Sequence, residues 1–187
     1  SGRSNQARNW MSTRSLARDA LRVLDALDVD LVYVFGISLG GMIATWLGIL
    51  APTRVARLCI ASAPAQGLDL RDAGLRRELR LAACFAHREV EVSLVHRVLS
   101  REFREQQRDA LLEIEAIVRR DPSSRVALLR LAAAGILYDA RAELGQIRAT
   151  TLVLVGDRDA LVRRDHPQAL ARAIRDASFE LIPDSGH

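Results

Sequence analysis

"LVYVFGISLGGMIATWLGIL", Leu31 to Leu50, carries no charged residue and supports two readings. A spanning helix needs roughly 20 apolar residues, so length alone allows a membrane segment, with Gly36 and Gly40 spaced as a G-x-x-x-G helix-pairing motif. The other reading is a buried strand, a sharp turn and a buried helix, which is equally free of charge. The β-branched and aromatic run Leu31–Phe35 stops at Gly36, and the glycines at 36, 40, 41 and 48 suit neither a strand interior nor a long helix. The strand–turn–helix reading accounts for them. Gly36-Ile37-Ser38-Leu39-Gly40 is a G-x-S-x-G pattern, which mounts a nucleophilic serine on a strained turn whose flanking positions must lack side chains. Gly41 would let the new helix approach its neighbouring strand. The helix start aims unpaired amides at the serine, placing the Leu39 N–H to stabilise a developing oxyanion.

The surroundings of this stretch are those of an α/β protein. Leu16, Ala20, Val23 and Leu27 recur at helical spacing behind Ser12 or Thr13 as N-cap. "VARLCIASA", "TTLVLVG" and "SFELIP" read as three further strands, so strand, helix and strand alternate as in a parallel sheet with crossover helices. Leu31–Phe35 reads as a strand buried on both faces. Residues 65–148 are helical by pattern: Leu75, Leu79 and Ala82 mark one face, Leu111, Ile114 and Val118 another, Val126, Leu129, Ala133 and Ile136 a third. Gly67, Gly74, Asp121–Ser124 and Gly135 read as breaks between them. The organisation expected is therefore a core part over 1–64, a helical cap inserted over 65–148, and a second core part over 149–187.

The 187 residues are 49% apolar, enough for one substantial core. The net charge of +4 comes from arginines interleaved with acids, as in "REFREQQRDALLEIEAIVRR" from Arg101 to Arg120. Phosphate binding wants a stripe of like charge and stacking aromatics, and only 4% of the chain is aromatic, so no nucleic-acid partner is expected. Cys59 and Cys84 read as buried free thiols of a reducing compartment, and the N-terminus shows no secretory signal pattern, so a cytoplasmic location is expected.

A serine needs a base to take its proton, and the base needs an acid to orient it. Gly156-Asp157-Arg158-Asp159 follows a buried strand, and His187 follows the next. The carboxyl ends of parallel strands are where open sheets bind ligands, so Ser38, Asp159 and His187 are expected to converge on one edge. Asp157 is the rival acid within the same turn. His87, His96 and His166 sit at no strand end and read as surface or packing residues. Asp139 and Glu143 near Arg141 read as a short solvated helix, and Arg164 and Asp165 as charges opening a helix. Such a site requires no metal and no cofactor.

At these residues the chain resembles the α/β-hydrolase family. "GISLGG" is similar to its nucleophile elbow, "TLVLVGDRD" to its acid strand, "IPDSGH" to its histidine loop, and Ser1–Ser4 to the end of a segment that follows its fourth strand. The order Ser, acid, His is that family's order, and its spacing points to Asp159 as the acid. The resemblance implies a partial α/β-hydrolase fold and a serine hydrolase cleaving a small-molecule ester, lactone or related acyl bond. "FGISLGGMIATWLG" and "APTRVARLCIASAPA" look most like the 3-oxoadipate enol-lactonase group, and Arg76, Arg77 and Arg80 could admit a carboxylate. An acyltransferase, a carbon–carbon bond hydrolase and a non-catalytic binding protein of the same fold are the alternatives, and oligomeric state is left open. The strands that precede Ser1 in the family, the loop giving its second oxyanion N–H, and its last helix have no counterpart in the sequence. The expectation is a piece of a longer protein, with one edge of Leu31–Phe35 unpaired, negligible catalysis on its own and poor solution behaviour.

Overall fold

The computed structural model describes residues 11–67, 89–120 and 123–187. Helix α1 (Thr13–Ala26) starts at Ser12, whose hydroxyl accepts from the Ser15 N–H while Ser15 returns the bond, a reciprocal cap. Strand β1 (Val32–Ile37), helix α2 (Leu39–Leu50) and strand β2 (Val55–Ala61) follow. The stretch that opened two readings is thus a strand and a 12-residue helix meeting at Ser38. No helix among the described residues is long and apolar enough to cross a membrane.

Strands β3 (Thr150–Gly156) and β4 (Ala177–Ile182) complete a four-stranded sheet in the order β1-β2-β3-β4, every pair parallel. Helix α2 makes the crossover from β1 to β2, and α7 (Asp165–Ala173) the crossover from β3 to β4. Between β2 and β3 lie α3 (Val90–Val98), α4 (Arg101–Gln106), α5 (Arg108–Arg120), α6 (Arg125–Ile136) and a 3-10 turn, Arg141–Gln146. The two ends of this helical segment are tied together. Gln66 bridges to Asp139, the Gly67 N–H donates to the Tyr138 carbonyl, and the Ala140 N–H donates to the Ala65 carbonyl.

The core sits on one face of the sheet. Leu58, Ile60 and Val153 belong to a cluster with Ala44 and Leu47 of α2, Ala17 of α1, Leu170 of α7, Leu144 of the 3-10 turn and Ile147 just after it. Trp46 is buried there, donating through its indole N–H to the Thr13 hydroxyl at 3.1 Å and meeting the Tyr138 ring edge-on. Arg14 stacks on the same indole and pairs with Glu143, which fixes the 3-10 turn against α1 instead of leaving it a purely solvated helix.

The opposite face differs from the sequence reading. Register places Tyr33 beside Arg57, Phe35 beside Cys59 and Ile37 beside Ala61, with Leu152 beside Cys59 and Leu154 beside Ala61 one strand further on, all on that side. Tyr33 is 81% exposed and Phe35 66%. β1 is therefore buried on one face only. As expected, its outer edge is unpaired among the described strands. Cys59, expected to be buried, is a half-buried free thiol on this open side.

Two readings within the helical segment also change. Val126, Leu129 and Ile136 are about half exposed, and α6 instead buries Ala127 and Ala134. Gly135 lies within the last turn of α6 and breaks nothing. Leu75, Leu79, Ala82, Cys84, His87, Gly74, Arg76, Arg77 and Arg80 lie outside the described residues.

Candidate active site

Ser38 occupies the turn between the end of β1 and the start of α2, with φ 55° and ψ −122°. A non-glycine residue at positive φ is strained and persists only where its surroundings fix it. The surroundings here do so: the Ser38 N–H donates to the Ala61 carbonyl at the end of β2, and the Ser38 carbonyl accepts from the Met42 N–H in the first turn of α2. The Ser38 side chain makes no capping bond to the helix it precedes, which leaves its hydroxyl available for other work. Leu39 is the first helical residue, where backbone N–H groups have no partner within the helix.

The glycines around this turn are not equivalent. A Cβ on Gly36 would collide with the Gly40 carbonyl oxygen and lie 2.6 Å from its carbon and 2.7 Å from the Ala44 Cβ. A Cβ on Gly41 would lie 2.6 Å from the Ala63 Cβ, so this glycine sets how closely α2 packs. Gly40 is the correction to the expected pattern: a Cβ there meets nothing within 4 Å among the described residues. It is the backbone of Gly40, and not its missing side chain, that requires Gly36.

Asp159 and His187 are joined. The His187 Nδ1 lies 2.9 Å and 3.1 Å from the two Asp159 carboxylate oxygens, and both side chains are almost fully buried. Asp159 Oδ1 also accepts from the Leu161 and Val162 N–H groups at 2.8 Å and 2.7 Å. Burial works to raise the Asp159 pKa, but the His187 bond and charge and these two amides outweigh it, and the net shift is downward. The arginines near Asp159 in sequence have other partners: Arg163 pairs with Asp165 and Arg158 with Glu102 and Asp184. The rival Asp157 accepts instead from the Ser185 N–H and braces the histidine loop.

The acid and histidine loops lie one on the other. Asp157 N–H donates to the Ile182 carbonyl and Arg158 N–H to the Ser185 carbonyl. Gly156 makes this possible, since a Cβ there would collide with the Ser185 and Gly186 carbonyl oxygens and lie 2.7 Å from the Ser185 carbonyl carbon. Gly156→Ala must lift the loop that carries His187. The expected result is a loosened contact between the two loops, read as faster amide hydrogen exchange at Asp157 and Arg158 while the interior amides of β3 stay protected.

Ser38, Asp159 and His187 all follow carboxyl ends of strands, β1, β3 and β4, along one edge of the sheet. No hydrogen bond joins Ser38 to His187. The His187 Nε2, on the far side of the ring from Asp159, is buried without a partner among the described residues. A cavity of about 350 Å³ beside it is lined by Ile37, Phe103, Leu154 and Ile182, with Leu99 and Ser100 of the helical segment on one wall. The other described histidines lie apart from this site: His96 pairs with Glu115 of α5, and His166 is the second residue of α7.

A parallel sheet with a strained serine at a strand-to-helix turn, and a buried Asp–His pair two and three strands away, defines the class as an α/β protein built like a hydrolase. The chain belongs to the α/β-hydrolase fold family, whose description matches residues 1–187. It is 31% identical over 193 residues to the proposed carbamate hydrolase RutD of Azorhizobium caulinodans, covering 100% of this chain and 70% of that protein. It is 38% identical over 53 residues to 3-oxoadipate enol-lactonase 1 of Acinetobacter baylyi, covering 28% of this chain and 20% of that one. Its fold superimposes on a hydrolase from Pseudomonas aeruginosa with a TM-score of 0.82 at 26% identity, covering 100% of this chain and 69% of the other. The chain spans 65% to 70% of the lengths of the carbamate-hydrolase relatives it matches.

Proposed function

We propose that the protein is a serine hydrolase that opens an ester, lactone or related acyl bond of a small molecule. Ser38 is the nucleophile, His187 the general base, Asp159 the carboxylate that orients it, and the Leu39 N–H an oxyanion donor. The observation that carries this reading is the buried His187, held by Asp159 through Nδ1 while its Nε2 has no partner among the described residues, on the same sheet edge as a strained serine. His187 Nε2 takes the Ser38 proton as Oγ attacks the carbonyl, and the negative charge that develops on the carbonyl oxygen is met by the start of α2. Collapse of the tetrahedral intermediate expels the alkoxide, which receives the proton from His187, and leaves an acyl group on Ser38. Water, deprotonated by His187, then releases the acid. The helical segment between β2 and β3 acts as a cap, contributing Leu99, Ser100 and Phe103 to a largely apolar wall.

Within this class the enol-lactonase reading rests on the motif around Ser38 and on the 38% identity over 53 residues. Carbamate cleavage is the second reading, because the relative that suggests it aligns with the whole chain. One panel separates them: 3-oxoadipate enol-lactone, short p-nitrophenyl esters and a simple carbamate, assayed at the protein's full natural length. Turnover of the lactone well above the other two is the expected result. Good ester turnover without lactone turnover rejects the lactonase reading, and preferential carbamate cleavage selects the second.

A further inference from the structure

We propose that Arg158 is a positioning residue that clamps the histidine loop between the acid loop and the cap, so that the cap holds His187 in place. The inference rests on the reading of His187 as general base, although the contacts themselves do not. Three chain segments meet at this arginine. Its backbone lies in the acid loop, one residue before Asp159, and its N–H donates to the Ser185 carbonyl two residues before His187. Its guanidinium forks: Nη2 donates to Asp184 Oδ1 at 2.5 Å, and Nη1 donates to Glu102 Oε1 at 2.8 Å. Asp184 stands at φ 55°, at the bend from which the loop runs to His187.

Glu102 lies in the first turn of α4, and that end of α4 is itself pressed on the histidine loop. The His187 N–H donates to the Val98 carbonyl at 2.8 Å. A Cβ on the adjacent Gly186 would come within 2.6 Å of that carbonyl oxygen and 2.7 Å of the Ser100 nitrogen. Ser100 caps α4 by accepting from the Phe103 N–H, which fixes where Glu102 stands. The cap therefore touches the loop at two points, a backbone bond at His187 and an ion pair that Arg158 relays to Asp184.

The plain alternative is three exposed charges that happen to meet. Arg158, Glu102 and Asp184 are 41%, 43% and 75% exposed, and exposed ion pairs add little to stability and are screened by salt. The clamp accordingly acts on geometry and not on global stability. It needs the planar fork of arginine, which holds two carboxylates at once where the ammonium of lysine is a point charge.

The test uses Arg158→Met, Arg158→Lys and Glu102→Gln at the protein's full natural length, with two readouts. Amide hydrogen exchange at His187 is expected to rise about tenfold in Arg158→Met while the β3 amides are unchanged, the signature of local opening. In ester hydrolysis kcat is expected to fall about tenfold with KM unchanged, as for a misplaced catalytic group. Arg158→Lys should recover part of both losses, and Glu102→Gln, which leaves the Asp184 bond intact, should show a smaller form of each. Unchanged His187 exchange in both Arg158→Met and Glu102→Gln overturns the clamp, as does a loss that appears equally in the β3 amides. If the wild-type protein shows no turnover and Ser38 resists fluorophosphonate, the hydrolase reading falls, and the exchange experiment still decides the clamp.

Discussion

Ser38→Ala is expected to lower kcat on a p-nitrophenyl ester by about a million-fold, the scale seen when the nucleophile of a serine hydrolase is removed. The size follows from the site. Ser38 is the residue held at the end of β1 with a strained backbone and no capping duty for its side chain, so in the proposed mechanism removing its hydroxyl removes the covalent route altogether. His187→Ala should cost about as much, because serine is a poor nucleophile at neutral pH without a base to take its proton, and the double variant should be little worse than either single one. Stability should move little for Ser38→Ala, since the Ser38 hydrogen bonds to Ala61 and Met42 are both made by its backbone. A Ser38→Ala protein with a tenth of wild-type turnover would exclude a Ser38 acyl-enzyme.

Asp159→Asn is expected to lower kcat by about ten-thousand-fold, with the geometry nearly intact, because an amide favours the wrong imidazole tautomer and cannot stabilise its charged form. Asp157→Asn should cost far less. The two aspartates are neighbours in one turn, but Asp159 holds the imidazole while Asp157 accepts a single backbone bond at 3.3 Å from Ser185. The pH dependence of stability follows the same assignment. The Asp159 pKa is lowered in the folded protein, so its contribution to stability is fully present above the ordinary carboxylate range. It is lost as pH falls below that range, through the folded value. Asp159→Asn should remove that part of the acid sensitivity, read by unfolding at a series of pH values. If Asp157→Asn is the more damaging substitution, the acid is misassigned.

What could be read in the sequence was whatever rests on local geometry. Gly36 announces the elbow because the backbone that folds back over it leaves no room for a Cβ, and the abrupt end of the β-branched run at that residue marks the turn. Asp159 and His187 could be placed near each other because parallel strands deliver their following loops to one edge. Burial on the second face of β1 could not be read. Tyr33 and Phe35 have the apolar character of a doubly covered strand, but coverage is a property of what packs above them. In α6 the alanines and the larger apolar residues both recur with helical spacing, and only the packing of the helix selects Ala127 and Ala134. The partners of Arg158 were also hidden. Two acids flank it in sequence, yet its guanidinium takes Glu102 and Asp184, which no local pattern connects to it.

Whether Ser38 carries the acyl group, as proposed, is decided by locating a covalent adduct. The protein at its full natural length is treated with a fluorophosphonate, digested, and mapped by mass spectrometry. One modified serine is expected, Ser38, with labelling abolished in Ser38→Ala and strongly slowed in His187→Ala. An adduct on another serine, or labelling of Ser38→Ala at the wild-type rate, would contradict it.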